Sequence, residues 1–250
     1  MAIQTTEGII LRKRDLRETS VILTLLTKDF GKICGVMRGA RGPKAAIGLN
    51  PQIFSLNSIV FYERRRGNLN NISECDLKDF FSPIRDDFER TIYADYLIEL
   101  ADMVTVEGDA DRKIYDLLLS SLSLLTKPVS AKRVARIFEI KLMDIAGFMP
   151  DLNGCAKCGK AIEGEARFDM REGALFCAKC LGHSGPWIKI SGGTINFITH
   201  VRKMPFDLLS RVKVSGPVGR ELEDFLRRFV DFHIERPLKT VEFIKKVNMT

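Results

Sequence analysis

Two Cys-x-x-Cys turns, Cys155 to Cys158 and Cys177 to Cys180, stand eighteen residues apart in a chain of 250. Each such turn presents two thiolates to one side, and two turns at this separation match the spacing by which four cysteines take one Zn2+ ion. Four thiolates complete the tetrahedral shell and leave no position for water or substrate, so the single Zn2+ expected here is structural. The competing reading, two disulfides or unrelated buried thiols, is disfavoured in a reducing cytoplasm. His183 follows the last cysteine by three residues and is a spare ligand at most, since four cysteines suffice. Cys34 and Cys75 fall in apolar strand-like runs and read as small core residues.

The second constellation is cationic. Arg12, Lys13, Arg14 and Arg17 form one cluster, Lys32 follows, Arg38, Arg41 and Lys44 occupy a Gly-rich turn, and Arg64, Arg65 and Arg66 form another group. They read as strand ends and loops that can converge on one face and bind nucleic acid, because cations that neutralise backbone phosphates release counterions. Phe30, Phe54, Phe61 and Tyr62 are interleaved with them, and aromatic faces stack unpaired bases. The other reading of Phe54 and Phe61 is barrel core. A weaker cluster, Lys132, Arg133 and Arg136, opens a helix and reads as a solvated face or as a dock for an acidic peptide tail.

Catalytic apparatus is not recognisable. The chain has no GxxxxGK[ST], GxSxG or HExxH motif, and its three histidines, His183, His200 and His233, are scattered. A binding protein is expected, not an enzyme. Two other classes compete: an enzyme with a zinc-stabilised lid, for which the Gly-rich turn at 38–44 lacks the strand–loop–helix context, and an interaction scaffold that does not bind DNA. Hydrophobic residues at 45% and charged ones at 28% exclude a disordered chain. The longest uncharged stretch, 45–62, is too polar for a membrane span. The basic residues of the amino terminus follow its apolar ones, the reverse of a secretory signal, so a cytoplasmic protein is expected. The net charge of +7 is unevenly placed, with an excess of +5 in 1–80, −3 in 81–150 and +5 in 151–250.

The elements that must position these residues follow from periodicity. Apolar runs at 7–11, 19–27, 32–37, 53–62 and 69–75 predict five short strands and a small antiparallel barrel over 1–80, with the OB-fold the preferred form and an SH3-like barrel the alternative. From Ser82, taken as N-cap, with Pro83 as first helical position, the period becomes helical. One helix is expected to run to near Gly108, a second to end before Pro128, and a third to run from Ser130 to Gly147. Short β-like pieces at 166–169 and 174–176 interrupt this pattern across 150–188, and helical spacing returns at Ile195 and from Pro217. The fold class is therefore α+β: an OB-fold barrel over 1–80 and a helical domain over 81–250 that carries a four-cysteine zinc-finger insertion at about 150–188.

Several stretches in this order resemble the RecO family of bacterial recombination mediators. They are Glu7-Gly-Ile-Ile-Leu11, Leu25-Leu-Thr-Lys-Asp-Phe-Gly-Lys32 preceded by Glu18, Gly39-Ala-Arg41, Tyr96-Leu-Ile-Glu-Leu100, Gly147-Phe-Met-Pro150, the two Cys-x-x-Cys turns and Arg236-Pro-Leu-Lys239. The resemblance implies a role in the RecF pathway of DNA repair. It implies binding of single- and double-stranded DNA, ATP-independent annealing of complementary strands, partnership with RecR, and contact with the single-stranded DNA-binding protein SSB during loading of RecA. The zinc ligands transfer residue by residue; the DNA-binding role transfers only to the basic surface of the barrel.

Overall fold

The computed structural model of the chain describes residues 2–41, 51–63, 69–162, 164–180, 187–234 and 236–247. They form two compact units, Met1–Ala131 with Leu238–Thr250, and Lys132–Pro237.

The first unit is built on alternation. Strands β2 (Ser20–Thr27), β3 (Gly31–Met37) and β4 (Leu56–Tyr62) bury every second side chain, the period-2 pattern of a sheet with one face on a core. β1 (Ile3–Leu16) is longer than its apolar run: its first half pairs with β4, from Ile3 opposite Tyr62 to Ile9 opposite Leu56, and its second half with β2, from Gly8 opposite Thr27 to Leu16 opposite Ser20. A register shift between Ile10 and Arg12 lets it bend from one partner to the other. β5 (Asn70–Asp79) runs parallel to β3 and antiparallel to β4, which closes the barrel in the order β1-β2-β3-β5-β4, the OB-fold. Ile10, Val21, Leu23, Leu25, Ile33, Ile59, Phe61, Ile72 and Cys75 fill it.

Three sequence readings change here. Arg12, Lys13 and Arg14 lie inside β1, not at a strand end or loop, because pairing with β2 satisfies their backbone while Arg12 and Arg14 project into solvent. Phe54 and Phe61 are buried, and Phe30 packs edge-on against Phe61 with ring centroids 5.3 Å apart, so these aromatics stabilise the barrel. Cys34 is half-buried on the outer face of β3 opposite Thr24, whereas Cys75 is in the core as expected.

The helix expected after Ser82 is two. α1 (Ser82–Arg85) is entered through Phe81 in the left-handed region, φ 52°, so Ser82 is not the cap. α2 (Phe88–Val104) restarts at Asp87, whose side chain accepts from the Arg90 amide at 3.0 Å. α3 (Arg112–Leu125) follows. The last helix, α7 (Lys239–Val247), returns to α2: Glu99 accepts from the Lys239 and Thr240 amides at 2.9 and 3.0 Å and caps it from another element.

A buried carboxylate ties the barrel to α2. Asp102 pairs with Lys32 at 3.2 Å through Oδ1 and with Arg12 through Oδ2, and Lys32 also donates to the Asp102 carbonyl at 2.7 Å. The Gly108 amide then donates to the Lys32 carbonyl at 2.9 Å. Gly31 permits this approach, for its φ is +64° and a Cβ there would lie 2.1 Å from the Asp109 carbonyl oxygen.

In the second unit α4 (Ala131–Ile145), α5 (Gly192–Lys203) and α6 (Gly216–His233) accompany a three-stranded sheet of order β7-β6-β8, with β6 at Glu165–Asp169, β7 at Ala174–Cys177 and β8 at Trp187–Ser191. β8 is the strand that the sequence reading missed: five residues are too short to stand out beside the helical spacing that follows. Phe168 of β6 packs on Phe225 and Phe229 of α6 at 5.2 and 6.0 Å. His233 stacks on Phe148 at 4.8 Å and meets Phe229 edge-on at 4.5 Å, the partly buried structural role expected of it. Among the described residues no helix is long and apolar enough to cross a membrane.

Removing one partner of a buried ion pair leaves an uncompensated charge, so Asp102→Ala should destabilise the first unit by about 3 kcal/mol in urea titration. A change within about 0.5 kcal/mol would show that the pair does not hold the barrel to α2. Burial lowers the His233 pKa below the ordinary 6.5, so the folded state prefers the neutral ring. The stability it confers is present above about pH 6.5 and is lost as pH falls towards the lowered value, while the unfolded chain takes up the proton. His233→Phe should therefore lose less stability than the parent between neutral and mildly acidic pH, read by thermal melts; parallel pH profiles would exclude this role.

Candidate nucleic-acid interface and metal centre

The outer face of β1, β2 and β3 is ordered by register. One row across the strands is Arg14, Ile22 and Val36; the next is Arg12, Thr24 and Cys34. Arg17 sits in the β1–β2 turn at φ 55°, and Arg38 is exposed directly after β3, at the same end of the ladder as Arg14. The strand 2–3 face and the adjoining loops are where OB-folds bind oligonucleotides.

The cations on this face divide by what they already hold. Arg12 and Lys32 pair with Asp102, and Lys32 is largely buried by it. Arg41 pairs with Asp15 and donates from Nη2 to the Glu18 carbonyl at 2.9 Å, while its amide donates to the Thr19 carbonyl at 3.0 Å; it fastens the chain after β3 to the β1–β2 turn. Lys13 is half-buried opposite Leu23. Arg14, Arg17 and Arg38 make no ion pair with any described residue. Their guanidinium groups are open to phosphate, with two exposed acids adjacent in sequence, Asp15 beside Arg14 and Glu18 beside Arg17. Lys44, Arg64, Arg65 and Arg66 lie outside the described residues. Burial pushes the Cys34 thiol up, so this face carries no ready thiolate.

The weaker basic cluster has internal partners. Lys132 pairs with Glu223 at 2.7 Å, and Arg136 pairs with Glu139, itself fully buried, at 3.0 Å. Arg136 thus belongs to the packing of its unit and not to a solvated face.

In the second unit Cys155, Cys158, Cys177 and Cys180 converge, with all four sulfurs within 4.8 Å of one another. The hairpin of β6 and β7 brings the two turns together: Cys177 ends β7, and the Ala156 amide donates to the Leu175 carbonyl of β7 at 2.8 Å. Each turn is closed locally, by the Gly159 amide on the Cys155 carbonyl at 2.8 Å and by the Cys180 amide on the Cys177 carbonyl at 3.0 Å. Gly159 takes φ +70° to complete its turn. Thiolates about 2.3 Å from a tetrahedral ion stand about 3.8 Å apart, and Cys158 and Cys177 are at 4.0 Å.

Thiol acidity fits the same picture. Burial pushes Cys155 up, but amides of Cys177, Cys158 and Lys157 outweigh it and bring it down to about 6. Cys177 is lowered through its hydrogen bond with Cys180, whereas hydrogen bonds with Cys177 and Cys158 push Cys180 up to about 12. Four sulfurs this close resist ionising together, and a divalent cation among them removes that conflict. Donor set, spacing and amide support fit a metal with four thiolate ligands, which leaves no site for chemistry on the ion.

Comparison with known proteins identifies the family. Residues 1–81 match the family described as "Recombination protein O N terminal", and residues 85–242 match "Recombination protein O C terminal". Proteins named "DNA repair protein RecO" are similar along almost the whole chain. The one from Alkaliphilus metalliredigens is 32% identical over 97% of this chain and 98% of its own length. That from Desulforamulus reducens is 32% identical over 99% and 96%, and that from Symbiobacterium thermophilum 30% over 98% and 97%.

Cys158 is the exposed member of the cluster, so Cys158→Ser disturbs packing least. The parent protein, purified reduced, is expected to hold about one metal ion per chain by elemental analysis. The variant should hold well under half of that and melt at lower temperature. Equal metal content in the two proteins would remove Cys158 from the ligand set.

Proposed function

The chain belongs to the recombination protein O family, and from that premise we propose that it is a recombination mediator of the RecF pathway. It binds single- and double-stranded DNA, anneals complementary strands without ATP, and acts with RecR to load RecA onto single strands coated with SSB. The work is binding and not catalysis, and it is done in the cytoplasm at the nucleoid. The observation that carries this reading is the end-to-end family match on an OB-fold whose strand 2–3 face holds the open guanidiniums of Arg14, Arg17 and Arg38.

Annealing needs no nucleotide energy if the protein removes the barrier between like-charged strands. Each phosphate neutralised by an arginine releases counterions, and two strands so neutralised approach more closely. Asp102 keeps Lys32 out of this set and Asp15 keeps Arg41 in place, so among the described residues on this face the charge available to phosphate is that of Arg14, Arg17 and Arg38. Zn2+ is the proposed ion of the Cys155, Cys158, Cys177 and Cys180 cluster, where it supplies cross-linking of two chain segments and no reaction.

Two complementary strands coated with cognate SSB, one end-labelled, are expected to anneal faster with the protein than with SSB alone, in the absence of ATP. Arg14→Glu with Arg38→Glu should slow annealing, weaken binding about tenfold or more and reduce the salt slope by about one to one and a half units. No acceleration by folded, metal-loaded parent protein would overturn the mediator reading in favour of an interaction scaffold.

A further inference from the structure

From the register of the barrel we infer that Tyr62 is a nucleobase-stacking residue, placed at the far end of the row that begins at Arg14, and that it makes the barrel prefer unpaired strands to duplex. This rests on the DNA-binding reading above and assigns the residue that tells one form of DNA from the other.

Pairing carries one row of outward side chains across all five strands. Arg14 of β1 is opposite Ile22 of β2, Ile22 opposite Val36 of β3, Val36 opposite Asn71 of β5, and Asn71 opposite Tyr62 of β4. Met37, Ile72 and Phe61 of the adjoining inward row are buried, whereas Arg14 is exposed and Ile22, Val36, Asn71 and Tyr62 are half-buried. Neighbouring strands lie about 4.8 Å apart, so the row runs about 19 Å along the surface, a path for a few nucleotides. It starts at a cation, crosses two β-branched apolar side chains and ends at an amide beside a ring. Ile3, 61% exposed, stands opposite Tyr62 on the first half of β1 and extends the apolar surface.

Among the five aromatics of residues 1–80, this placement leaves Tyr62 to a base. Phe54 and Phe61 are no more than 4% exposed, and Phe30 is held edge-on against Phe61. Phe80 is half-covered: the Arg85 guanidinium lies 3.9 Å over its ring, and it follows β5 at the end opposite Asn71, away from the row. Tyr62 has no ring or cation against it among the described residues. The Asn71 amide beside it offers both donors and an acceptor to the edge of a base.

Stacking on an aromatic ring tolerates any sequence, since every base has a π-face, but it needs a base released from its own stack. A duplex keeps its bases inside and offers this row only phosphates. A single strand reaches Arg14 and Tyr62 together. When two strands pair during annealing the base leaves Tyr62, so the duplex product is held more weakly than the strands that formed it.

The test uses the full-length, metal-loaded protein and two labelled ligands, oligothymidylate and a duplex of equal length, titrated by fluorescence anisotropy across a salt series. Tyr62→Leu, which keeps an apolar side chain against Ile3 but no π-face, should weaken oligothymidylate binding about tenfold and leave duplex binding within about twofold. Its salt slope should equal the parent's, because no cation is removed. Tyr62→Phe should bind both ligands as the parent does. A single strand carrying 2-aminopurine should lose fluorescence on binding the parent and Tyr62→Phe, and keep it with Tyr62→Leu. Equal losses on both ligands for Tyr62→Leu, no loss on either, or unquenched 2-aminopurine bound to the parent overturns the inference and leaves the DNA-binding reading standing. Failure of the parent to bind either ligand overturns the DNA-binding reading itself.

Discussion

The carboxylate of Asp102, buried on α2, is the constraint around which the first unit is arranged. A charge in that position is tolerable only with cations against it, and it takes two from the barrel: Lys32 of β3 and Arg12 of β1. That pairing sets which strands meet the helix. It also carries the β2–β3 turn onto the chain after α2, where Gly31 meets the Asp109 backbone with no room for a side chain. The outer face of β1, β2 and β3 is then divided, one end occupied by the helix contact and the other left to solvent with Arg14, Arg17 and Arg38.

Charge on the surface of this protein is thus of two kinds. Arg12 and Lys32 are committed to the buried Asp102 and Arg136 to the buried Glu139, so their removal would be felt as stability, while Arg41 and Lys132 are paired with the solvent-accessible carboxylates of Asp15 and Glu223. Arg14, Arg17 and Arg38 have no such partner among the described residues. A basic composition alone cannot separate the two, because a guanidinium latched to a carboxylate and one open to phosphate are identical in a count of charges. The distinction matters for function, since a cation already paired has to give up that partner before it neutralises a phosphate.

The second unit solves a different problem. Between α4 and α5 three short strands bury only a small core around Phe168. Four sulfurs within 4.8 Å provide the missing cohesion when a metal joins them, and the β6–β7 hairpin pre-aligns the two turns by backbone hydrogen bonds. Amides that hold the Cys155 thiol to about 6 also favour the thiolate form a metal requires.

The amino-acid sequence by itself determined the barrel and the metal cluster. Alternation over β2, β3 and β4 is a local signal, and so is a Cys-x-x-Cys turn, in which two ligands are adjacent by covalent geometry. It also determined most of the helical stretches, but neither the break at Asp87, where a capping side chain restarts a helix within one apolar period, nor the short last helix α7. Only the tertiary structure decided that β1 extends through its arginines, since those residues become strand by pairing with β2, and that Phe30, Phe54 and Phe61 face inward. It alone decided which cations remain open, because Asp102 is seventy residues from Lys32 in the chain and ninety from Arg12. Likewise Glu99 caps a helix that begins one hundred and forty residues later. Periodicity reports what a residue does within its own element; ion pairs and caps between elements depend on distances that exist only after the chain has closed.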